Sequence, residues 1–325
     1  MSSRMAPTID RRTLLAGGVM LGAASVAGAQ STLPPGFERF AIWPGPAPGG
    51  EKMTAVEEER PRSPDGPPDD TAFTHVTRPT LTMVRPAKSN GAALLLVPGG
   101  GYRRVAIGRG GHAIARRFAD AGYTCFILLY RLPGDAWAAG PDAPLQDAQR
   151  AMRLIRARAK RDGFDGERIG VLGFSAGGHL AARLAAQPDL ATYAALDAAD
   201  ALPARPTIAG LLYPVASMAD GIAHMGSRNE LLGRQPSEQR IAAYSTDRLV
   251  TGAMPPTFLA HAVDDTTVPV ENSLALFSAL QAHKVPREMH LFETGGHGFG
   301  LQLPDGTTSP WPELFLAWSR RHGMG

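Results

Sequence analysis

Residues 168–180 read RIGVLGFSAGGHL. The apolar run from Ile169 to Phe174 has the length of one buried strand. Gly173-Phe174-Ser175-Ala176-Gly177 then forms a G-x-S-x-G pattern, and the Ala-rich stretch 179–187 reads as a helix. A strand that turns into a helix at a serine is the setting in which this pattern presents a nucleophilic hydroxyl. The turn is tight, and glycines on both sides keep Cβ atoms out of its way, so the Ser175 hydroxyl stands clear. A chain with 37 glycines can also produce the pattern by chance. The reading therefore rests on whether the rest of the chain supplies a base, an acid and an oxyanion hole.

On either side of this stretch the same rhythm repeats. Residues 81–85, 92–97, 123–130, 208–212, 257–260 and 288–292 are short strand-like runs, and 112–121, 144–161, 272–283 and 311–320 have helical spacing. Apolar strands alternating with helices indicate an α/β fold, a doubly wound and mostly parallel sheet with helices on both faces. Residues 218–249 break the alternation and are expected as loops and short helices over the sheet, where a lid would lie. Residues 30–79 are rich in Pro and Gly and are expected as an extended arm without its own core, with Trp43 as its anchor. The catalytic domain is then expected over 80–325.

The 325 residues are 44% hydrophobic and 19% charged, enough apolar material for a full core. Ile9-Asp10-Arg11-Arg12-Thr13-Leu14-Leu15 carries a twin arginine, residues 14–27 are weakly apolar, and Ala27-Gly28-Ala29 reads as a small-residue cleavage site. Residues 1–29 are thus expected to be a twin-arginine export signal, which makes the mature protein periplasmic or secreted. The run is too short and glycine-rich to anchor it in a membrane. Removing the leader leaves 30 basic and 29 acidic residues, so nothing in the charge balance implies nucleic acid as a partner. The single cysteine, Cys125, has no partner for an intrachain disulfide and is expected in the core.

In such a sheet, catalytic groups lie beyond the carboxyl ends of strands. Three ends carry suitable residues: Ser175, the stretch HAVDDTTVP at 261–269, and GGHGF at 295–299. Their order is Ser, Asp, His, that of an α/β-hydrolase triad and not that of chymotrypsin-like or subtilisin-like enzymes. A serine hydroxyl needs a base to take its proton during attack, and His297 is the candidate. An aspartate would hold the imidazole tautomer, and the adjacent Asp264 and Asp265 both qualify by position. Pro98-Gly99-Gly100-Gly101 follows an apolar strand as an oxyanion loop would, with the N–H groups of Gly100, Gly101 and Ala176 as donors. Pro98 has no N–H, so the donors must lie downstream of it.

Three further residues are candidates to touch substrate. They are Tyr102, which ends PGGGY; Arg131, at a strand's carboxyl end or else paired with the acidic stretch 142–147; and His224, in the lid. His179 is expected to pack or hydrogen-bond within the elbow. His112, His224 and His261 have no metal-ligand spacing, and HExxH and paired cysteines are missing, so no metal or other cofactor is expected.

PGGGY at 98–102, YRLP at 130–133, GFSAGGH at 173–179, VDDTTVPVENS at 263–273 and GGHGFG at 295–300 resemble the α/β-hydrolases known as acetylxylan or carbohydrate esterases. That group is similar to the esterase/lipase and dienelactone-hydrolase-like groups, and HMGSRNELLG at 224–233 resembles its lid-side segment. The resemblance runs from about residue 80 to the C-terminus. Related hydrolases carry H-G-x-x-D-x-x-V-P loops with the acid four residues after the His. Aligned from His261, this implies Asp265 as the acid, with Asp264 bracing the loop. The resemblance further implies a serine esterase that removes short acyl groups, typically acetyl, from sugar hydroxyls through an acyl-enzyme. A general carboxylesterase or lipase acting on small esters is the alternative. An α/β-hydrolase peptidase is another, though such enzymes usually carry a gating domain for which the chain has no room. A non-catalytic scaffold is disfavoured because every catalytic part is present, and Ser175 in place of a cysteine weighs against dienelactone hydrolase chemistry.

Overall fold

The runs ALLLV, TCFILL and IGVLGF have no polar side, so they can pair as strands only where both faces of a sheet are covered. The computed structural model describes residues 32–325 in addition to Met1, and the expected leader otherwise lies outside the described residues. The strands are β1 (Phe37–Ala41), β2 (Glu58–Pro61), β3 (Thr71–Thr74), β4 (Thr80–Val84), β5 (Ala93–Val97), β6 (Thr124–Leu129), β7 (Ile169–Phe174), β8 (Ala209–Leu212), β9 (Thr257–Ala262) and β10 (Arg287–Phe292). The helices are α1 (Gly108–Asp120), α2 (Ala143–Asp162), α3 (Ala176–Ala186), α4 (Met225–Leu232), α5 (Glu238–Tyr244), α6 (Glu271–Ala282) and α7 (Trp311–Arg321).

Eight strands form one sheet in the order β1-β4-β6-β5-β7-β8-β9-β10. From β6 to β10 all pairings are parallel, and β4 and β1 close one edge antiparallel. This is the mostly parallel α/β sheet that the sequence predicts. On one face α1 and α7 meet through Phe118 and Phe315, whose ring centroids are 5.5 Å apart, and Phe258 of β9 meets Phe315 edge to face. On the other face α3 lies so close to β7 that a Cβ on Gly173 would come within 2.5 Å of the Ala181 side chain. Cys125 is buried in the core. Among the described residues no helix is long and apolar enough to cross a membrane.

Helix α1 starts at Gly108, four residues before the helical spacing becomes legible, because its first turn is glycine-rich and carries no apolar periodicity. Gly108 is required there: a Cβ would stand 2.2 Å from the Thr71 nitrogen of β3. The lid stretch contains α4 and α5. It is pinned near both ends, by Ser245 Oγ accepting from the Met218 N–H at 2.9 Å and by Thr246 N–H donating to the Ala216 carbonyl at 2.7 Å.

The segment before residue 80 differs from an arm without a core. Its strand β1 joins the main sheet, pairing Phe37 with Val84, while β2 and β3 form a separate two-stranded sheet. Ile42, Trp43, Phe73 and Val76 are buried in the common core. These strands are too short, and their apolar positions too mixed, for alternation to announce them.

Arg131 accounts for the attachment. The expectation that it lines the pocket is corrected: its side chain is fully buried and ion-paired with the equally buried Asp147 of α2. Its Nη1 donates to the Pro48 carbonyl at 2.7 Å, and its guanidinium lies over the rings of Trp43 and Trp137 at 5.4 and 4.8 Å. Trp43 Nε1 donates to Asp147 Oδ1 at 2.8 Å. A guanidinium this deep must be paired, and its Nε, Nη1 and Nη2 all find acceptors here, in Asp147, the Pro48 and Ala143 carbonyls and Gln146, and not in the pocket. Truncating one partner leaves the other charge buried and alone, so Arg131→Met and Asp147→Leu are each expected to cost about 3–5 kcal/mol. The double variant is expected to recover much of that loss. Urea unfolding of the three variants measures both, and single variants within 1 kcal/mol (roughly, on the scale of an exposed pair) of the parent would refute the assignment.

Candidate active site

Ser175 sits between β7 and α3 at φ 55° and ψ −121°, a region that side-chain-bearing residues rarely enter. Both glycines of the pattern are needed for this. A Cβ on Gly173 would lie 2.4 Å from the Gly177 carbonyl oxygen, and one on Gly177 would lie 2.2 Å from that of Val97. The Ser175 N–H donates to the Leu212 carbonyl at 3.0 Å, and its own carbonyl accepts from His179 and Val215. Held this way, the hydroxyl reaches His297 in the loop after β10, with Oγ and Nε2 2.9 Å apart.

His297 Nδ1 stands 2.7 Å from Asp265 Oδ2 in the loop after β9. A carboxylate can only accept, so Nδ1 carries the proton and Nε2 is left as the acceptor for the Ser175 hydroxyl. Asp265 is held from three further directions: Thr267 and Val268 N–H groups donate to Oδ1 at 2.8 and 2.9 Å, and His261 Nε2 approaches Oδ2 at 3.3 Å. Burial works against its ionised form, but the bonds from His261, His297 and Val268 outweigh it and hold the carboxyl well below its usual range. Asp265 is therefore a carboxylate throughout the working pH range.

Asp264 faces elsewhere. Its oxygens accept from the Gly295 and Gly296 N–H groups at 3.2 and 2.8 Å, so it braces the loop that carries His297. His261 is the residue that sequence reasoning used only as an alignment point. It is fully buried, with Nδ1 2.7 Å from Ser273 Oγ and Nε2 3.0 Å from the Val268 carbonyl, and it locks the acid loop onto α6. The sequence signal was the i, i+4 spacing of His261 and Asp265.

The loop after β5 passes beside the serine. Gly99 allows the approach, since a Cβ there would be 3.0 Å from Ser175 Cβ. Gly100 (φ 137°) and Gly101 (φ 66°) turn the chain so that none of the backbone bonds among the described residues uses either N–H. Ala176 opens α3, so its N–H has no intrahelical acceptor. These are the three donors expected at the oxyanion position.

A cavity of about 380 Å³ opens over Ser175 and His297. Leu96, Ile114, Ile127 and Phe174 make part of its wall apolar. His224 lines it too, and caps α4 through Nδ1, which accepts from Ser227 N at 3.2 Å. Burial, and the charge His297 would carry if protonated, both lower the His224 pKa, with Asp265 opposing, so the ring is neutral with its Nε2–H free to donate. Tyr213 stands edge-on to His297 with ring centroids 5.0 Å apart.

Tyr102 does not reach the cavity, contrary to the sequence expectation. At φ 60° the chain turns back, the ring is buried, and its hydroxyl lies 2.7 Å from His179 Nδ1 behind the elbow. His179 Nε2 in turn donates to the Tyr244 carbonyl at 2.7 Å. Burial lowers the His179 pKa to about 3, the Tyr244 carbonyl opposing and Arg183 adding to the shift. An unfolded chain protonates this histidine near pH 6.5 while the native state leaves it neutral. Stability is therefore complete above about pH 6.5 and falls by about 1.4 kcal/mol per pH unit below it, until the native histidine also protonates. His179→Gln is expected to flatten that acid limb in a series of thermal melts between about pH 6.5 and 4. An unchanged slope would remove His179 as its cause.

The fold and this constellation have relatives. The BD-FAE family matches residues 81–280. The chain is 32% identical over 226 residues to endo-1,4-beta-xylanase B of Butyrivibrio fibrisolvens, covering 70% of this chain and 34% of that protein. It is 30% identical over 221 residues to an acetylxylan esterase of Xylanibacter ruminicola, covering 66% and 42%. The chain thus spans well under half the length of these two curated relatives. Among solved structures, an acetyl ester-xyloside bifunctional hydrolase from Caldicellulosiruptor lactoaceticus aligns with a TM-score of 0.70 at 33% identity, covering 91% of this chain and 99% of that one. A carboxylesterase from Lactobacillus plantarum aligns at 0.65 and 27%, covering 83% and 98%. With an α/β-hydrolase sheet and a family match over residues 81–280, the chain belongs to the BD-FAE family.

Proposed function

We propose that the protein is an exported serine esterase that removes acetyl groups from xylan or a related carbohydrate. The observation that carries this reading is the unbroken hydrogen-bonded chain Ser175–His297–Asp265, with links of 2.9 and 2.7 Å, beside three unused backbone N–H groups. The names of the relatives, an acetylxylan esterase and an acetyl ester-xyloside hydrolase, favour acetylated xylan as the substrate class.

In this mechanism His297 Nε2 takes the Ser175 proton as Oγ bonds to the ester carbonyl carbon. The carbonyl oxygen becomes an anion facing the Gly100, Gly101 and Ala176 N–H groups, which are already oriented and need no reorganisation. Asp265 stabilises the imidazolium. Collapse of the adduct breaks the bond to the sugar oxygen, which leaves with the proton from His297. Water then enters, loses its proton to His297, and attacks the acyl-Ser175 carbon. The bond to Oγ breaks, Oγ takes the proton back from His297, and acetic acid departs and ionises to acetate.

The apolar wall formed by Leu96, Ile114, Ile127 and Phe174 favours a second reading, a general carboxylesterase that accepts longer acyl chains. Hydrolysis of p-nitrophenyl acetate, butyrate and octanoate, run beside acetate release from acetylated xylan, separates the two. Selectivity for acetate with release from xylan is expected; an octanoate preference with xylan untouched would establish the second reading. Ser175→Ala is expected to lower kcat/KM by at least about 10⁴-fold, and Asp265→Asn by about 10³–10⁴-fold with folding intact. Full activity in Ser175→Ala would end the serine mechanism. Export rests on the twin arginine, Arg11-Arg12, and fails as a proposal if a Lys-Lys replacement leaves the protein's location unchanged.

A further inference from the structure

Three arginines stand in the wall of the cavity. Arg62 comes from the segment between β2 and β3, and Arg103 and Arg104 from the turn after the oxyanion glycines. None of the described lining residues is Asp or Glu. Arg62 Nη1 is 3.4 Å from Asp70 Oδ2, and Arg104 Nη1 donates to the Arg62 carbonyl at 3.4 Å. The three charges are close enough to act on one another. Burial lowers the Arg104 pKa, Arg62 and Arg103 add repulsion, and Asp70 opposes them. An arginine remains charged under such a shift, so the repulsion is carried by the free protein.

Arg62 also acts electrostatically on Tyr213, whose ring abuts that of His297. A further positive contribution comes from α1. Gly110 and Gly111 of its first turn line the cavity, no side chain caps that end, and no acidic residue lies in the turn. With a formal net charge of only +3 on 325 residues, this is a local concentration of charge and not a reflection of a basic chain. The apolar wall has no group to pair an anion, so a negative charge on the substrate belongs on the alcohol side of the ester.

We propose that Arg62, Arg103 and Arg104 form an anion subsite, and that the favoured substrate is an acetylated carbohydrate bearing a carboxylate, such as a uronic acid branch next to the acetylated sugar. Guanidinium groups suit this task, since their planar forks match a carboxylate bidentately. The proposal rests on the esterase reading above and adds to it the chemical class of the alcohol.

The test uses two acetylated xylo-oligosaccharides of equal length, one neutral and one carrying a glucuronic acid branch, with acetate release as the readout. The parent protein is expected to favour the acidic one in kcat/KM by about five- to tenfold at low ionic strength, and less at about 0.5 M salt. The ratio should fall toward one in Arg62→Gln and in Arg103→Gln/Arg104→Gln, persist in the corresponding Lys variants, and invert in Arg103→Glu/Arg104→Glu. Circular dichroism and melting temperature identify any variant that fails to fold, and the Lys variants and the salt dependence of the parent then carry the test. A parent ratio of one or below, or a preference that survives charge removal, overturns the subsite. Ser175-dependent hydrolysis of p-nitrophenyl acetate separates the two levels. If it is present with a ratio of one, the subsite alone is wrong; if it is absent, the esterase reading fails as well.

Discussion

A serine placed at φ 55° between a buried strand and a helix carries backbone strain of about 1–3 kcal/mol, and the whole site depends on that strain being held. Three close approaches make it tolerable, each at a position where a Cβ would collide: Gly173 against the Gly177 carbonyl, Gly177 against the Val97 carbonyl, and Gly99 against the Phe174 carbonyl. The bonds of the Ser175 backbone to Leu212, His179 and Val215 fasten the turn from both sides. The same close approach of the β5 loop that requires Gly99 brings Gly100 and Gly101 beside the nucleophile. The exposure of the Ser175 hydroxyl and the placement of the Gly100 and Gly101 N–H groups are thus two consequences of one packing arrangement.

The acid side of the site is built on a different principle. Asp265 is ionised in a buried place because His261, His297 and two backbone N–H groups surround it, which compensates the cost of taking a charge out of water. His261 spends both ring nitrogens on this framework and has none left for substrate. The adjacent Asp264 bonds to the histidine loop, so the two aspartates divide the work: one holds the His297 ring, the other orders the segment that carries it.

The segment before residue 80 is tied both to the core and to the cavity wall. Its attachment by way of Arg131, Asp147 and Trp43 is far from Ser175 in role, yet it fixes where the β2–β3 sheet lies. Phe73 of β3 exchanges backbone bonds with Val105, just past Arg103 and Arg104, at 2.9 and 2.8 Å. The rim arginine from this segment and those from the oxyanion loop are thereby joined through backbone. The cavity wall is thus built partly by the packed N-terminal segment, while Ser175, Asp265 and His297 stand at strand ends.

The parallel sheet was legible because unbroken apolar strands such as TCFILL have no reading in which one face meets water, and Ser175 and His297 were legible because they sit at strand ends in a fixed chain order. Local spacing reaches only a few residues along the chain, and that limited the rest. It offered Arg131 a partner in the acidic stretch 142–147, where Asp147 lies, beside the pocket as the alternative, but it could not tell that Arg131 also finds the Pro48 carbonyl or that Tyr102 turns back to His179, 83 and 77 positions away. It singled out Asp265 over Asp264 only through the spacing from His261 shared with related hydrolases, since the two aspartates differ in which loop each one faces. The strands of the N-terminal segment were hidden for the same reason, being too short to show a period and stable only against the sheet they join. What the sequence by itself determined was the fold class and the residues able to do the chemistry, because burial and motif order are written locally. Which polar side chains line the cavity and which are consumed in the core was decided by the tertiary structure, because a hydrogen-bond partner is a matter of position in space and not of position in the chain.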